Sequence, residues 1–217
     1  MSWTDKLNIS GEHKLTLSGQ KGSIDAILTV PEDIQHSHMA FLGHPNSLQG
    51  GSMNNKVVTT LARACRDSGV ASLRMNFRGV GESAGVYDHG VGESEDMLKL
   101  VQEWQAARPD ARAIFAGFSF GSYVTYRAAA QWPHHLLLSI APAVDRHDYQ
   151  SFSPPPTPWE IIMGEADDVV PFLEVKTFAE EMAIPLHPYA DTGHFFHGRL
   201  IELREGITEI LRKYLPS

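Results

Sequence analysis

The sequence AIFAGFSFGSYVTYRAAAQ at residues 113–131 places an apolar run, a Gly-x-Ser-x-Gly turn and a helix-like segment in direct succession. The run Ala113–Gly117 predicts a strand, and Ser122–Gln131 predicts a helix. A serine between the two stands on a very tight turn, so its neighbours two residues away must be small enough for strand and helix to approach. Glycine occupies both of those positions. The stretch therefore predicts a strand–turn–helix unit with Ser119 at its tip.

Strands and helices alternate along most of the remaining chain. The further predicted strands are Met39–Leu42, Val70–Phe77, Leu136–Ala141, Trp159–Gly164 and Leu186–Tyr189. The further predicted helices are Asn54–Ser68, Glu93–Ala107, Phe172–Met182 and Ile201–Tyr214. Before them, His13–Ser18 and Ser23–Val30 predict an antiparallel hairpin. This order predicts an α/β fold with a mostly parallel central sheet, an N-terminal antiparallel hairpin and helices on both faces.

Composition and charge narrow the class of protein. With 217 residues, of which 42% are hydrophobic and 20% charged, residues 1–217 fit one folded domain. The formal net charge of −8 disfavours nucleic acid as a partner, because an acidic surface repels phosphate. The single cysteine, Cys65, lies in a helical stretch and is predicted to be a small buried hydrophobe.

Neither a secretion signal nor a membrane segment is visible. Residues 1–6, Met-Ser-Trp-Thr-Asp-Lys, do not form the apolar segment that a signal peptide contains. No stretch approaches the roughly 20 apolar residues that a membrane-spanning helix needs. We therefore expect a cytoplasmic location and no membrane partner.

The serine needs an acidic partner to orient its base. The loop after Trp159–Gly164 offers two adjacent aspartates, Asp167 and Asp168. We favour Asp167, because Val169-Val170-Pro171 then follow as the start of the next helix. The other aspartate would cap that helix or lie in solvent.

The base is expected one strand later, since the order serine, acid, histidine is typical of serine turns of this kind. The loop after Leu186–Tyr189 contains His194 and His197. We favour His194, which follows the strand more closely. His197 is then predicted to line the site or to form a local hydrogen bond.

Two N–H groups are needed to stabilise the negative charge that develops on the substrate oxygen. The residue after the nucleophile, Phe120, should supply one. The second should come from the loop after Met39–Leu42, where Pro45 has no N–H. Asn46 is the first choice and Ser47 the second.

Longer strings of sequence resemble the small lid-less α/β-hydrolases of bacteria, which are related to the dienelactone hydrolase group. They are Gly43-His44-Pro45, Gly50-Gly51-Ser52-Met53-Asn54-Asn55-Lys56-Val57-Val58, Asn76-Phe77-Arg78-Gly79-Val80-Gly81-Glu82-Ser83, Gly117-Phe118-Ser119-Phe120-Gly121 and Gly193-His194-Phe195-Phe196-His197-Gly198. The resemblance spans nearly the whole chain and implies a triad of Ser119, Asp167 and His194 with esterase activity on small substrates. Two departures are visible: His44-Pro45 is followed by Asn46-Ser47 where the family usually has His-Pro, and the nucleophile is a serine where true dienelactone hydrolases carry cysteine.

The sequence also suggests which residues contact the substrate and which other ligands to expect. Candidate substrate-binding residues are His44, Ser47, Arg78, Phe118 and His197, although for Arg78 an ion pair with a nearby carboxylate is the favoured alternative. Residues 145–158 are a proline-rich loop where many relatives insert a helical lid, so we expect an open site for small esters. We expect no cofactor and no metal, and nothing in the sequence demands a homodimer, although one is possible.

Other functions share the same residues. A thioesterase, an amidase or peptidase, or an acyltransferase would use the same triad with a different pocket. A binding protein on an inactive hydrolase fold is the alternative of another class. The presence of all three triad residue types argues against it.

Overall fold

The computed structural model describes residues 2–215 and is built around one eight-stranded sheet. The strands are β1 (Gly11–Ser18), β2 (Ser23–Val30), β3 (His38–Gly43), β4 (Ala71–Met75), β5 (Arg112–Phe118), β6 (His134–Ile140), β7 (Trp159–Gly164) and β8 (Leu186–Tyr189). Their spatial order is β1-β2-β4-β3-β5-β6-β7-β8. β2 pairs antiparallel with both β1 and β4, and every pairing from β4 to β8 is parallel.

Helices cover both faces of this sheet, which confirms the predicted fold class. They are α1 (Lys56–Asp67), α2 (Val91–Ala107), α3 (Phe120–Ala129), α4 (Phe172–Glu181) and α5 (Leu200–Tyr214). α1 packs against α5, and α2 packs against α3. Single 3-10 helices at Trp3–Asn8 and Ser47–Gln49 were not expected from the sequence, because such short turns leave no periodic pattern.

The central strands are short apolar runs because both of their faces are covered. Every residue of β3, β4 and β7 is buried. β1, at the edge, instead alternates exposed and buried positions over its second half. Cys65 lies inside α1 at 1% exposure, as predicted, and burial raises the pKa of its thiol to about 12.

The starts of α1, α2 and α3 differ from the sequence prediction by two residues, whereas α4 begins at Phe172 as predicted and α5 begins one residue before the prediction. α1 begins at Lys56 because the Asn55 side chain accepts a hydrogen bond from the Val57 N–H at 2.9 Å. α2 begins at Val91, where the Glu93 carboxylate accepts the Gly90 N–H at 2.9 Å. α3 begins at Phe120, two residues earlier than predicted, directly after the serine.

The parallel strands end at one edge of the sheet, and the loops that follow them lie there together. These are the loops after β3, β4, β5, β6, β7 and β8. The loop between β6 and β7, residues 141–158, contains no helix, so no lid covers this edge. Across residues 2–215, no helix is both long enough and apolar enough to cross a bilayer.

Candidate active site

Ser119 occupies a strained turn between β5 and α3. Its backbone has φ 54° and ψ −122°, a conformation that costs a non-glycine residue roughly 1–3 kcal/mol. The flanking glycines permit it. A Cβ added to Gly117 would lie 2.2 Å from the carbonyl oxygen of Gly121, and one added to Gly121 would lie 2.3 Å from the carbonyl carbon of Gly43. The two glycines therefore serve the close approach that the sequence analysis assigned to them.

The turn is fastened to the neighbouring strand β6 by hydrogen bonds. The Ser119 N–H donates to the Ile140 carbonyl at 2.9 Å. The Ser122 hydroxyl, fully buried, lies 2.8 Å from the Gly117 carbonyl and 3.1 Å from the same Ile140 carbonyl. These contacts fix the conformation of Ser119, and the sequence analysis did not assign Ser122 this positioning part.

Asp167 lies in the loop after β7 with its side chain fully shielded from solvent. The N–H groups of Val169 and Val170 each donate to Asp167 Oδ1 at 2.8 Å. The other oxygen, Oδ2, lies 2.7 Å from His194 Nδ1. These three contacts orient the carboxylate, with Oδ1 on the two backbone N–H groups and Oδ2 towards the imidazole.

His194 lies in the loop after β8 and is 2% exposed on its side chain. Because Asp167 accepts from Nδ1, that nitrogen carries the proton and Nε2 is left as an acceptor. The imidazole packs on Phe118, the residue before Ser119, with ring centroids 4.8 Å apart. Within residues 2–215, no hydrogen bond joins His194 to the Ser119 hydroxyl; packing on Phe118 brings the histidine to the serine turn.

The two rival residues lie outside this arrangement. Asp168 is exposed, and the carboxylate that accepts from His194 is that of Asp167. His197 is also exposed, with its ring 5.8 Å from that of Phe195. Phe195 itself is 41% exposed and packs edge-on against His194. His197 therefore lies at the outer rim of the site, one ring beyond the histidine.

The loop after β3 lies directly against the start of α3. The backbone carbonyls of Gly43 and His44 come within 2.6 Å of where a Cβ on Gly121 would lie. In the described part of the chain, the N–H groups of Phe120 and Asn46 donate no hydrogen bond. The Asn46 Oδ1 accepts the Leu48 N–H at 2.9 Å, which holds this side chain against its own loop.

Three of the predicted substrate-binding residues, Phe118, Arg78 and His44, are buried and in this conformation offer no surface to a ligand. Phe118, fully buried, supports His194 and Phe195. Arg78 is 5% exposed; its guanidinium donates to Asp96 at 2.6 Å and to Asp88 at 3.3 Å, which is the ion-pair alternative. Ser47 is partly exposed beside Asn46, but its hydroxyl oxygen is buried.

His44, the third, ties the loop after β3 to the end of β4. Its Nδ1 lies 2.7 Å from the Pro45 carbonyl, and its Nε2 accepts the Phe77 N–H at 2.9 Å. The ring is fully buried and stacks on Phe77 with centroids 4.0 Å apart. The sequence predicts that His44 touches substrate; because both of its nitrogens are engaged internally, the ring instead links the loop that carries Asn46 to Phe77.

His44 gives the protein an acid-sensitive contact. Burial lowers its pKa to about 4, so the folded protein holds the neutral ring while the unfolded chain protonates it near pH 6.5. The contribution of the neutral ring to the free energy of unfolding is complete above pH 6.5 and is lost as the pH falls from 6.5 towards 4. Below pH 4 the total loss is about 3 kcal/mol. We expect His44→Gln to have a smaller drop in the free energy of unfolding between pH 7 and pH 4, measured by urea denaturation. An equal drop in both proteins would contradict this assignment.

Comparison with known proteins places this geometry in a family. The chain is 42% identical to an α/β serine hydrolase without a lid from Xanthomonas campestris. The crystal structure of that protein superimposes with a TM-score of 0.90, and the match covers 95% of this chain and 96% of that one. An α/β serine hydrolase homologue from Coxiella burnetii is 40% identical over 92% of this chain and 97% of that one, with a TM-score of 0.87. An uncharacterised protein of Rickettsia prowazekii is 32% identical over 185 residues, which are 80% of this chain and 78% of that protein. A scan against models of protein families found no match.

The fold and the serine turn thus define the class as an α/β hydrolase. More narrowly, the chain belongs to the α/β serine hydrolases that lack a lid. This confirms the family that the sequence resembles.

Proposed function

We propose that this protein hydrolyses small carboxylic esters through an acyl-enzyme, with Ser119 as nucleophile, His194 as base and Asp167 as the group that orients the base. The observation that carries the proposal is the 2.7 Å hydrogen bond between buried Asp167 and His194, whose ring packs against the serine turn. A hydroxyl is a weak nucleophile unless such a base takes its proton. The family to which the chain belongs supports the same class of chemistry.

Acylation begins when the Ser119 hydroxyl oxygen attacks the ester carbonyl carbon. Its proton passes to Nε2 of His194, the nitrogen left free by the Asp167 hydrogen bond. The carbonyl oxygen becomes an oxyanion, for which the free N–H groups of Phe120 and Asn46 are the proposed donors. The tetrahedral intermediate collapses, His194 returns the proton to the leaving alkoxide, and an alcohol departs.

Deacylation repeats these steps with water. His194 takes a proton from water as the water oxygen attacks the acyl carbon, and the same two N–H groups hold the second oxyanion. Collapse breaks the bond to Ser119, whose oxygen recovers the proton from His194. The products are a carboxylic acid and the free enzyme, and no cofactor enters the balance.

The start of α3 adds a favourable electrostatic contribution at the oxyanion. Phe120 is the first residue of this ten-residue helix, so the free N–H groups and positive dipole end lie at the serine turn. A negative oxygen formed there is stabilised without reorganisation of the protein. This contribution depends on α3 beginning directly after Ser119.

The open edge of the sheet supports short acyl chains as substrates. No helix in residues 141–158 forms a roof under which a long chain could be buried. We expect p-nitrophenyl acetate and butyrate to be hydrolysed with a higher kcat/KM than the decanoate and palmitate. A steady rise in kcat/KM with chain length would contradict the assignment to small substrates. Turnover of acyl thioesters or amides with none of esters would retain the triad and overturn the ester assignment.

A further inference from the structure

A group of aromatic and histidine side chains surrounds Phe120, the residue next to the proposed nucleophile. It consists of Tyr87, His89, Phe120, Tyr123 and His147 and is referred to below as the aromatic cluster. Tyr87 and His147 contact Phe120 with ring centroids 5.3 and 5.4 Å away. His89 lies 4.9 Å from Tyr87, and Tyr123 stacks on His147 at 4.6 Å.

The aromatic cluster has a buried base and a solvent-facing layer. Phe120 and Tyr123 are 2% and 8% exposed. Tyr87 and His147 are partly exposed, and His89 is exposed. The outer rings come from the loops after β4 and β6, two of the loops that meet at the edge where Ser119 lies. Flat ring surface is therefore left in contact with solvent beside the serine turn.

The segment that carries Tyr87 and His89 is held in place by buried charge. The Glu93 carboxylate, on a fully buried residue, accepts the N–H of Asp88 at 2.8 Å and that of Gly90 at 2.9 Å. The Arg78 guanidinium lies 3.3 Å from Asp88 and 2.6 Å from Asp96 on α2. Both of these anchors lie within one residue of the rings, so the outer layer is arranged before any ligand binds.

The outer layer also suits an uncharged ligand. Burial lowers the pKa of His147, so its imidazole is neutral at pH 7 and presents a flat, weakly polar face. Aromatic faces attract other rings in offset or edge-on arrangements beyond what apolar area alone provides. A saturated ring of similar size buries comparable area but lacks this attraction.

We propose that the aromatic cluster is a specificity subsite that binds a flat aromatic group on the ester substrate. The proposal rests on the proposed function, since it places the aromatic group next to the bond that Ser119 attacks. It narrows the substrate class from small esters to esters with an aromatic ring on the acyl or the alcohol side.

The test compares aromatic esters with saturated esters of matched size. For the acyl side, methyl cinnamate is paired with methyl 3-cyclohexylacrylate; for the alcohol side, benzyl acetate is paired with cyclohexylmethyl acetate. We expect the wild-type kcat/KM for at least one aromatic ester to exceed that of its partner by about 3- to 10-fold, the range that ring–ring contacts supply. The pair that shows the preference identifies the side that the subsite accepts.

Variants of the outer layer test whether these rings cause the preference. Tyr87→Leu and His147→Leu should each reduce the aromatic-to-saturated ratio towards 1, whereas Tyr87→Phe, which retains the ring, should preserve it. Tyr214→Leu is the matched control. Tyr214 is a partly buried tyrosine that donates to Glu160 at the start of β7, whereas the active-site loops follow the ends of the strands. This variant should leave the ratio unchanged. A ratio at or below 1 for both pairs, or a preference that survives both leucine variants, would overturn the proposal.

A binding measurement keeps this test separate from the proposed function. In Ser119→Ala protein, calorimetric dissociation constants for the same four esters should show the same aromatic preference without turnover. Absence of ester hydrolysis by the wild type together with an aromatic preference in binding would overturn the ester assignment and retain the subsite. Ester hydrolysis without any aromatic preference in turnover or binding would overturn the subsite and retain the ester assignment.

Discussion

Ser119→Ala is expected to lower kcat/KM for p-nitrophenyl acetate by at least about 1000-fold, because no other group in the arrangement can form the acyl-enzyme. Removal of the nucleophile from a serine triad leaves only the contributions of substrate binding and the oxyanion donors. The substitution deletes one hydroxyl from a residue that is 9% exposed. The turn itself is fastened by the Ser119 N–H and by Ser122, so the fold should survive.

The control for this variant is Ser68→Ala, which removes a serine hydroxyl at the end of α1, where it donates to the Ala64 carbonyl. Its kcat/KM should stay close to that of the wild type. Thermal unfolding of both variants would establish that they are folded. A folded Ser119→Ala protein that retains a tenth or more of the wild-type kcat/KM would refute the assignment of the nucleophile.

Asp167→Asn is expected to lower kcat by about 1000- to 10,000-fold with little change in KM. The amide can donate where the carboxylate only accepts, so His194 is driven to the tautomer that carries its proton on Nε2 and cannot take the one from Ser119. The charge that stabilises the imidazolium is lost at the same time. Steady-state kinetics with p-nitrophenyl butyrate would measure both parameters.

Asp168→Asn is the matched control, with the same chemical change one residue away. Because Asp168 is exposed and the His194 bond is made by Asp167, the control should change kcat less than about threefold. If the two substitutions had the opposite order of effect, the acid would be assigned to the wrong aspartate.

The fold could be predicted from the sequence because most of the central strands are short apolar runs bounded by clear turns. β8 (Leu186–Tyr189) and β7 (Trp159–Gly164) have the predicted bounds. β6 begins two residues before the prediction because His134 looks polar in sequence yet pairs with Ala113 of β5. Such errors arise where pairing with a neighbouring strand outweighs local polarity.

The candidate site was predictable only for the residues that follow predicted strands in the order serine, acid, histidine. Ser119, Asp167 and His194 each follow a strand, and the hydrogen bond of His194 to Asp167 accords with the choice of Asp167 over Asp168. Their catalytic roles remain predictions, as does the role of Asn46. The burial of His44 and Phe118 was not predictable, because a polar loop residue or an aromatic residue at the end of a strand has the same local sequence whether it faces the ligand or the core.

The aromatic cluster left no signal in the sequence for a different reason. Its rings come from α3 and from two loops that lie up to 60 residues apart along the chain, between Tyr87 and His147. No spacing or periodicity relates such positions. Only the ring contacts around Phe120 reveal that they form one surface.

The central claim is that Ser119 is a nucleophile activated by His194, and covalent labelling with a fluorophosphonate tests it most directly. We predict a single phosphonylated peptide containing Ser119 by mass spectrometry, with labelling slowed by at least about 100-fold in His194→Ala. Absence of labelling in folded protein, or a label on another residue that persists in Ser119→Ala, would contradict the account.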